Sequence, residues 1–304
     1  MPFLRVESGW FVVDTGLQHS FSPSGCPLNG DTCGLDLDTP GLPVRVPGIR
    51  PQEVFDCVEE QVGVRPTGFL GQDVLGALGC FCLDYDQKVL DVGPDPFLDW
   101  DVSIPMENPG WPLTVQGGLV VDTGAAFAVT LDPPHCPGGP LRIHTFPAPL
   151  DVQLAANAPG LLGPGLAMYN PALSASLHQL GTRGVVGAET LARGRAWFDF
   201  RQGVLRLKDL GVRSYPLLAL TESTRWPGFQ VSLRDGQVRV ATVHAGGAQP
   251  GQSLEVGPPP PGVELVDHVM GQLLTTAPTV SVSLDGQAQE LPTFPLFPGS
   301  VGKP

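Results

Sequence analysis

Val12-Val13-Asp14-Thr15-Gly16 near the start of the chain and Val120-Val121-Asp122-Thr123-Gly124 further on are the same five residues, 108 positions apart. A carboxylate that ends an apolar strand is costly to bury unless it is hydrogen-bonded, paired or used. Two of them, each followed by a hydroxyl and a glycine, imply one arrangement made twice. The spacing is that of a small domain. It is too long for a solenoid repeat and suits a duplicated unit.

A second signal repeats in the same order. Gly68-Phe69-Leu70-Gly71 precedes an expected short helix at 72–78, a strand at 81–85, a turn at Asp86-Gln87-Lys88 and then Val89-Leu90. Gly184-Val185-Val186-Gly187 precedes a polar helical stretch at 188–193, then Trp197-Phe198-Asp199-Phe200, a turn at Arg201-Gln202-Gly203 and Val204-Leu205. The offset is 116 from Gly71 to Gly187 and 115 from Asp84 to Asp199, so one residue is lost between the copies. Between them, residues 93–112 carry prolines at 94, 96, 105, 109 and 112 and read as the link from one half to the other.

Around these signals the chain reads as short strands. Residues 3–13 alternate and then turn continuously apolar, as a strand does on entering a core. Extended pieces near 42–46 and 54–62 read as hairpins. Beyond Leu207 the pattern changes. An alternating run at 228–233, a turn at Arg234-Asp235-Gly236 and a second run at 238–243 form a strong hairpin signal. A Pro250-Gly251 turn, a strand at 253–256, an amphipathic helix near 263–274 and a last strand at 279–284 complete a third unit.

Composition narrows the class. The 39 glycines and 34 prolines are spread without a period, which favours many turns between strands and a mainly β fold. A net charge of −13, with 17 Lys and Arg against 30 Asp and Glu, argues against nucleic acid or an anionic membrane surface as partner. The apolar stretch at 117–131 is interrupted by Asp122 and is too short to span a bilayer. Arg5 and Glu7 interrupt any signal-peptide core, so a cytoplasmic protein is expected. Cys26, Cys33, Cys57, Cys80, Cys82 and Cys136 contain no Cys-x-x-Cys pair, and the six histidines show no ligand spacing, so no metal and no cofactor are expected. The cysteines read as buried free thiols, with a loop closed by Cys26 and Cys33 as the alternative, which would imply an oxidising compartment. Gly299-Ser300-Val301-Gly302-Lys303 is followed by Pro304, so no phosphate-binding helix can follow it.

Two carboxyls brought within a few ångströms cannot both ionise readily; they share a proton, one pKa rising and the other falling. Such a pair can take a proton from water while giving one to a carbonyl oxygen. Gly16 and Gly124 would allow N–H groups close to the carboxylates. Thr15 and Thr123 would offer hydroxyls to lock the two loops together. Gly71 and Gly187 would let a second segment pack against each Asp loop.

Asp-Thr-Gly after two apolar residues, then two apolar residues and Gly before a short helix, resembles the retropepsin-type (retroviral-like) aspartic proteases. Here the pattern occurs twice over residues 1–210, as in the bilobal pepsin arrangement. The resemblance implies two β-barrel-like lobes forming a pseudo-dimer, at 1–98 and 99–211, with Asp14 and Asp122 as a catalytic dyad. It also implies a hairpin flap, for which 160–165 is a possible tip, and a peptide or unfolded-protein substrate acted on by a monomer. The first copy departs from the family pattern at Leu17, where Ala or Ser is usual; Ala125 conforms. Residues 212–304 resemble a PDZ domain of the kind attached to bacterial proteases. There Trp226-Pro227-Gly228-Phe229 stands at the carboxylate-binding loop, and the resemblance gives Gly228 and Phe229 that role. Gln252 replaces the customary Asp. A protease-like fold that binds peptides without cutting them is the alternative.

Overall fold

The computed structural model describes residues 2–6, 9–21, 54–56, 58, 59, 63–95, 97, 99–125, 127–131, 140–143, 150–158, 161, 162, 165–211, 223–234, 236–261, 263 and 265–296. The chain is mainly β, as its composition implies. Each Val-Val-Asp stretch is a strand pressed against the strand that ends in the repeated glycine. β2 (Gly9–Val13) runs parallel to β3 (Gly68–Leu70), with Val12 opposite Phe69 and Val13 opposite Leu70. β8 (Leu119–Val121) runs parallel to β13 (Gly184–Val186), with Val120 opposite Val185 and Val121 opposite Val186. Parallel pairs buried on both faces need continuous apolar runs, which these strands have. An antiparallel neighbour flanks each: β1 (Phe3–Val6) on β2, and β7 (Thr114–Val115) on β8.

The helices that follow are short. α1 (Gln72–Ala77) starts at Gly71, and α3 (Ala188–Leu191) starts at Gly187. After them come matching hairpins, β4 (Cys80–Asp84) with β5 (Val89–Val92), and β14 (Gly194–Asp199) with β15 (Val204–Asp209). Buried Asp84 accepts from the N–H groups of Asp86 and Gln87 at 3.0 Å, and buried Asp199 from those of Arg201 and Gln202 at 2.9 Å. These Asx turns are the same device at both ends of the repeat. β4 and β14 pair antiparallel, joining the halves into a twelve-stranded sheet across which Arg195 binds Asp84 at 2.6 Å. Val13, Leu75, Phe81 and Leu83 of the first half share one core with Val121, Val186, Leu191, Phe198 and Leu205 of the second. Phe81 stacks on Phe198 with ring centroids 4.7 Å apart. Each fully buried side chain of this size contributes about 1.5–3 kcal/mol, so the shared core fixes one half against the other.

Several local expectations are corrected. Residues 54–56 and 58–59 are helical, where 54–62 reads as extended, because Phe55 and Val58 at helical spacing close onto Phe21 and Phe69. The 42–46 hairpin, the Cys26–Cys33 loop, Cys57 and Cys136 lie outside the described residues; Cys80 and Cys82 are buried free thiols. The proline-rich stretch at 93–112 contains β6 (Val102–Asn108), inserted between β15 and β7. Its side chains alternate, with Ile104 and Met106 buried and Pro105 outward. β10 (Pro140–Ile143), β11 (Leu150–Ala158), β12 (Gly165–Tyr169) and α2 (Pro171–Gln179) extend the second half beyond anything the repeat announces. β12 also pairs parallel with β9 (Ala128–Val129). Asn170 caps α2 by accepting from Leu173 N–H at 2.9 Å, with Pro171 at the first helical position.

The third unit is the hairpin β17 (Phe229–Arg234) and β18 (Gln237–Val243), helix α4 (Leu265–Leu273), and a three-stranded sheet. That sheet is β19 (Leu254–Glu255), β20 (Thr279–Leu284) and β21 (Gln287–Pro292). β20 is not the last strand: Asp285 and Gly286, both at positive φ, turn it into β21. β16 (Arg225–Trp226) pairs with β22 (Phe294–Pro295). Leu296, Trp226 and Leu274 pack with Leu173 and Leu177 of α2, so this unit is seated on the second half.

Candidate active site

The parallel strand pairs carry Asp14 and Asp122 to one place. Asp14 N–H donates to Leu70 O at 2.9 Å and Asp122 N–H to Val186 O at 3.0 Å, so each loop leaves its sheet at the same point. The loops are then locked by crossed hydroxyls. Thr15 Oγ1 donates to Val121 O at 2.8 Å and accepts from Thr123 N–H at 3.0 Å. Thr123 Oγ1 donates to Val13 O at 2.7 Å and accepts from Thr15 N–H at 3.0 Å. Both threonines have no exposed surface, and three polar groups on each side, the Thr N–H, the Thr hydroxyl and a Val carbonyl, find partners in the other half.

The glycines are required by close approach. A Cβ on Gly16 would lie 2.5 Å from Asp122 Cγ, and one on Gly124 would lie 2.5 Å from Asp14 Cγ. Each carboxyl therefore rests on the other loop's glycine. Gly16 N–H donates to Asp14 Oδ1 at 2.8 Å; Asp122 Oδ1 receives Gly124 N–H at 2.8 Å and Ala125 N–H at 3.0 Å. The two carboxyls face one another across the seam, near enough for each to shift the titration of the other. Both residues are half-buried. Burial, then the charge of Asp122 and the hydrogen bond to it, raise the Asp14 pKa well above the ordinary aspartate value. Burial also raises that of Asp122, but the hydrogen bonds from Asp14, Ala125 and Gly124 draw it back. Both carboxyls are thus pushed above the ordinary aspartate range, Asp14 the further of the two.

The other expected site residues stand next to the loops. Gly71 packs on the first, where a Cβ would meet Leu17 O at 3.0 Å, and Gly187 on the second, where a Cβ would meet Phe127 O at 2.5 Å. Gln72 N–H donates to Leu17 O and Ala188 N–H to Ala125 O, both at 2.8 Å, tying each helix start to its Asp loop. Leu17 packs against the cluster of Val12, Phe21, Phe55 and Phe69, so the departure from Ala at this position fills a core. Of the possible flap at 160–165, residues 160, 163 and 164 lie outside the described residues. Leu161 and Leu162 pack on the shared core, with Arg193 Nη1 donating to Leu162 O at 2.7 Å.

Two supporting residues escape the sequence reading. Trp111 Nε1 donates to Gly16 O at 2.9 Å, and Gln72 Nε2 donates to Thr15 O at 3.0 Å. Neither belongs to the repeated motif; only a contact across the chain reveals them. Among the described residues no group of His, Cys, Asp and Glu could hold a metal ion, and no helix is long and apolar enough to cross a membrane.

Gly228 and Phe229 lie in the third unit. Gly228 has φ +80°, and its carbonyl accepts from the N–H groups of His244 at 2.8 Å and Ala245 at 2.9 Å. A Cβ there would meet Ala245 O at 2.6 Å, so the turn needs glycine; Phe229 beside it is buried in the unit's core. A comparison with protein-family models and with curated proteins finds no match for this chain.

Proposed function

We propose that the chain is an aspartic endopeptidase of two retropepsin-like lobes, 1–98 and 99–211, with a PDZ-like peptide-binding domain at 212–304. The observation that supports it is the facing pair of carboxyls, each held by its own loop and seated on the other loop's glycine. Asp122, bearing the charge, takes a proton from a water as its oxygen adds to the scissile carbonyl carbon. Asp14 gives its proton to the carbonyl oxygen, leaving a gem-diol with the pair's proton transferred to Asp122. Asp122 then gives that proton to the amide nitrogen, the C–N bond breaks as Asp14 takes a proton from a gem-diol hydroxyl, and acid and amine leave with the pair reset. The water adds directly, so no acyl-enzyme forms. Crossed threonine bonds hold the two carboxyls in register, which is positioning that the chemistry needs.

The test is incubation of an unfolded polypeptide with the full chain over a wide pH range, with new termini read by mass spectrometry. Cleavage is expected for the wild type and not for Asp122→Asn of unchanged fold. Equal inertness of both, with no binding of a pepstatin-type inhibitor, would leave a protein that holds peptides without cutting them. For the third unit, the full chain is expected to bind peptides with free C-termini more tightly than their amidated forms; equal binding would remove Gly228 and Phe229 from that role.

A further inference from the structure

The two Asp loops do not rest on the same support. Under the first, Asp73 Oδ1 accepts from Ser20 N–H at 2.9 Å, Ser20 Oγ at 2.6 Å and Val74 N–H at 2.8 Å, while Ser20 Oγ accepts from Gly71 N–H at 2.8 Å. The repeat places Ala128 where Ser20 stands and Glu189 where Asp73 stands, at the offsets of 108 and 116 that relate the Asp and Gly pairs. The hydroxyl is gone and the carboxyl is one methylene longer.

Glu189 is 4% exposed in the first turn of α3. Its Oε1 accepts from Thr190 Oγ1 at 2.8 Å, but its Oε2 is buried with no hydrogen-bond partner among the described residues. That oxygen faces Gly187, lying 2.7 Å from where a Cβ would stand, on the glycine that also meets Phe127 O of the second loop. A buried carboxylate with one orphan oxygen is costly; a protonated carboxyl has a donor for a carbonyl such as that of Phe127. Burial raises the Glu189 pKa to about 7, against the pull of the Thr190 hydroxyl and the N–H groups of Glu189, Thr190 and Ala128. The elements packed against α3 bring three other titratable groups near, Tyr169 on β12 and Arg195 and Asp199 on β14. Arg195 is committed to Asp84, and Asp199 to its turn. β9 and β13 carry none. Arg193, just past α3, binds Asp209 and Leu162 O, and Asp122 binds Asp14 and its own loop.

We propose that Glu189 is a positioning residue, a proton-operated support for the second Asp loop. Protonated, it has a donor to offer the second loop across Gly187; ionised, it keeps a charged oxygen without a hydrogen-bond partner beneath the loop and loosens it. Only its consequence for cleavage rests on the reading of Asp122 as half of a catalytic pair.

Amide hydrogen exchange on the full chain tests it without reference to activity. The reporters are Ala188 N–H, bonded to Ala125 O, and its first-lobe counterpart Gln72 N–H, bonded to Leu17 O. The folded-state pKa of about 7 lies above the ordinary 4.5, so the stabilisation is present below 4.5 and is lost as pH rises through 7. From pH 5 to pH 8, protection at Ala188, corrected for intrinsic exchange, is expected to fall on the order of tenfold or more relative to Gln72. Glu189→Gln should abolish that fall, and Ala128→Ser, which restores the hydroxyl of the first loop, should reduce it. Equal pH dependence at the two reporters in the wild type, or a fall that survives Glu189→Gln, would overturn the proposal. If the wild type cleaves, Glu189→Gln should extend cleavage to higher pH; an unmoved profile would reduce Glu189 to a structural role. If nothing is cleaved, the function proposed above fails while the exchange comparison still decides Glu189.

Discussion

The first and second Asp loops carry the same Asp-Thr-Gly and exchange the same crossed hydrogen bonds, yet they differ in the side chains beneath. Asp14 receives one N–H and Asp122 two, which makes the pair electrically unequal. The first loop sits on a closed network of Ser20 and Asp73; the second sits on Ala128 and a carboxyl with an orphan oxygen. The residues that face the other half, Thr15, Gly16, Thr123 and Gly124, are matched because each needs its counterpart. Beneath them Gly71 and Gly187 match as well, and the asymmetry arises in the side chains that pack within each half.

The largest expected effect breaks the pair. Asp14→Asn and Asp122→Asn should each reduce peptide cleavage on the order of a thousandfold or more, measured with an unfolded substrate. A variant that keeps wild-type cleavage would show that the loops do not act together. Next is the lock between the halves. Thr15→Val or Thr123→Val removes one donor and one acceptor and strands a buried N–H and a carbonyl in the other loop. A loss of about 2–4 kcal/mol from urea unfolding is expected for each. A large loss for one and none for the other would mean that the halves are not locked reciprocally.

A smaller, pH-dependent effect separates the two aspartates. The raised Asp14 pKa contributes stability that is present below the ordinary aspartate value of 3.8 and lost as pH rises through its folded value. Thermal unfolding midpoints should therefore fall across that window in the wild type and fall less in Asp14→Asn. The smallest effect touches one loop only. Trp111→Phe removes the donor to Gly16 O and should cost about 1 kcal/mol in unfolding free energy, with no change in the pH dependence that Glu189 imposes on the second loop.

Much of this site is legible in the sequence because it is repeated. Val-Val-Asp-Thr-Gly and the later Gly71 and Gly187 mark the strand ends that must meet, and the mainly β class follows from the glycines, prolines and short apolar runs. Other features carry weaker local signals. The turn around Phe55 and Val58 is helical only because those side chains close on Phe21 and Phe69 from elsewhere in the chain. β6 is hidden by Pro105, which an outward position accommodates. β21 is too polar to read as a strand, although Asp285-Gly286 signals its turn. Trp111 and Gln72 act through contacts between distant segments. Ala128 and Glu189 stand within the aligned repeat, but their exchange for Ser20 and Asp73 acquires meaning only when hydroxyl, carboxyl and glycine are seen to touch.

The central claim is that Asp14 and Asp122 hold one proton between them. The direct measurement is a carbon-13 NMR titration of the aspartate side-chain carboxyl carbons in the wild type, with Asp14→Asn and Asp122→Asn assigning the two signals. The account predicts that both carbons respond to both protonation steps, that Asp14 holds its proton to the higher pH, and that replacing either residue removes the coupling from the other. Two independent titrations, each in the ordinary aspartate range and unchanged by the partner's replacement, would contradict it.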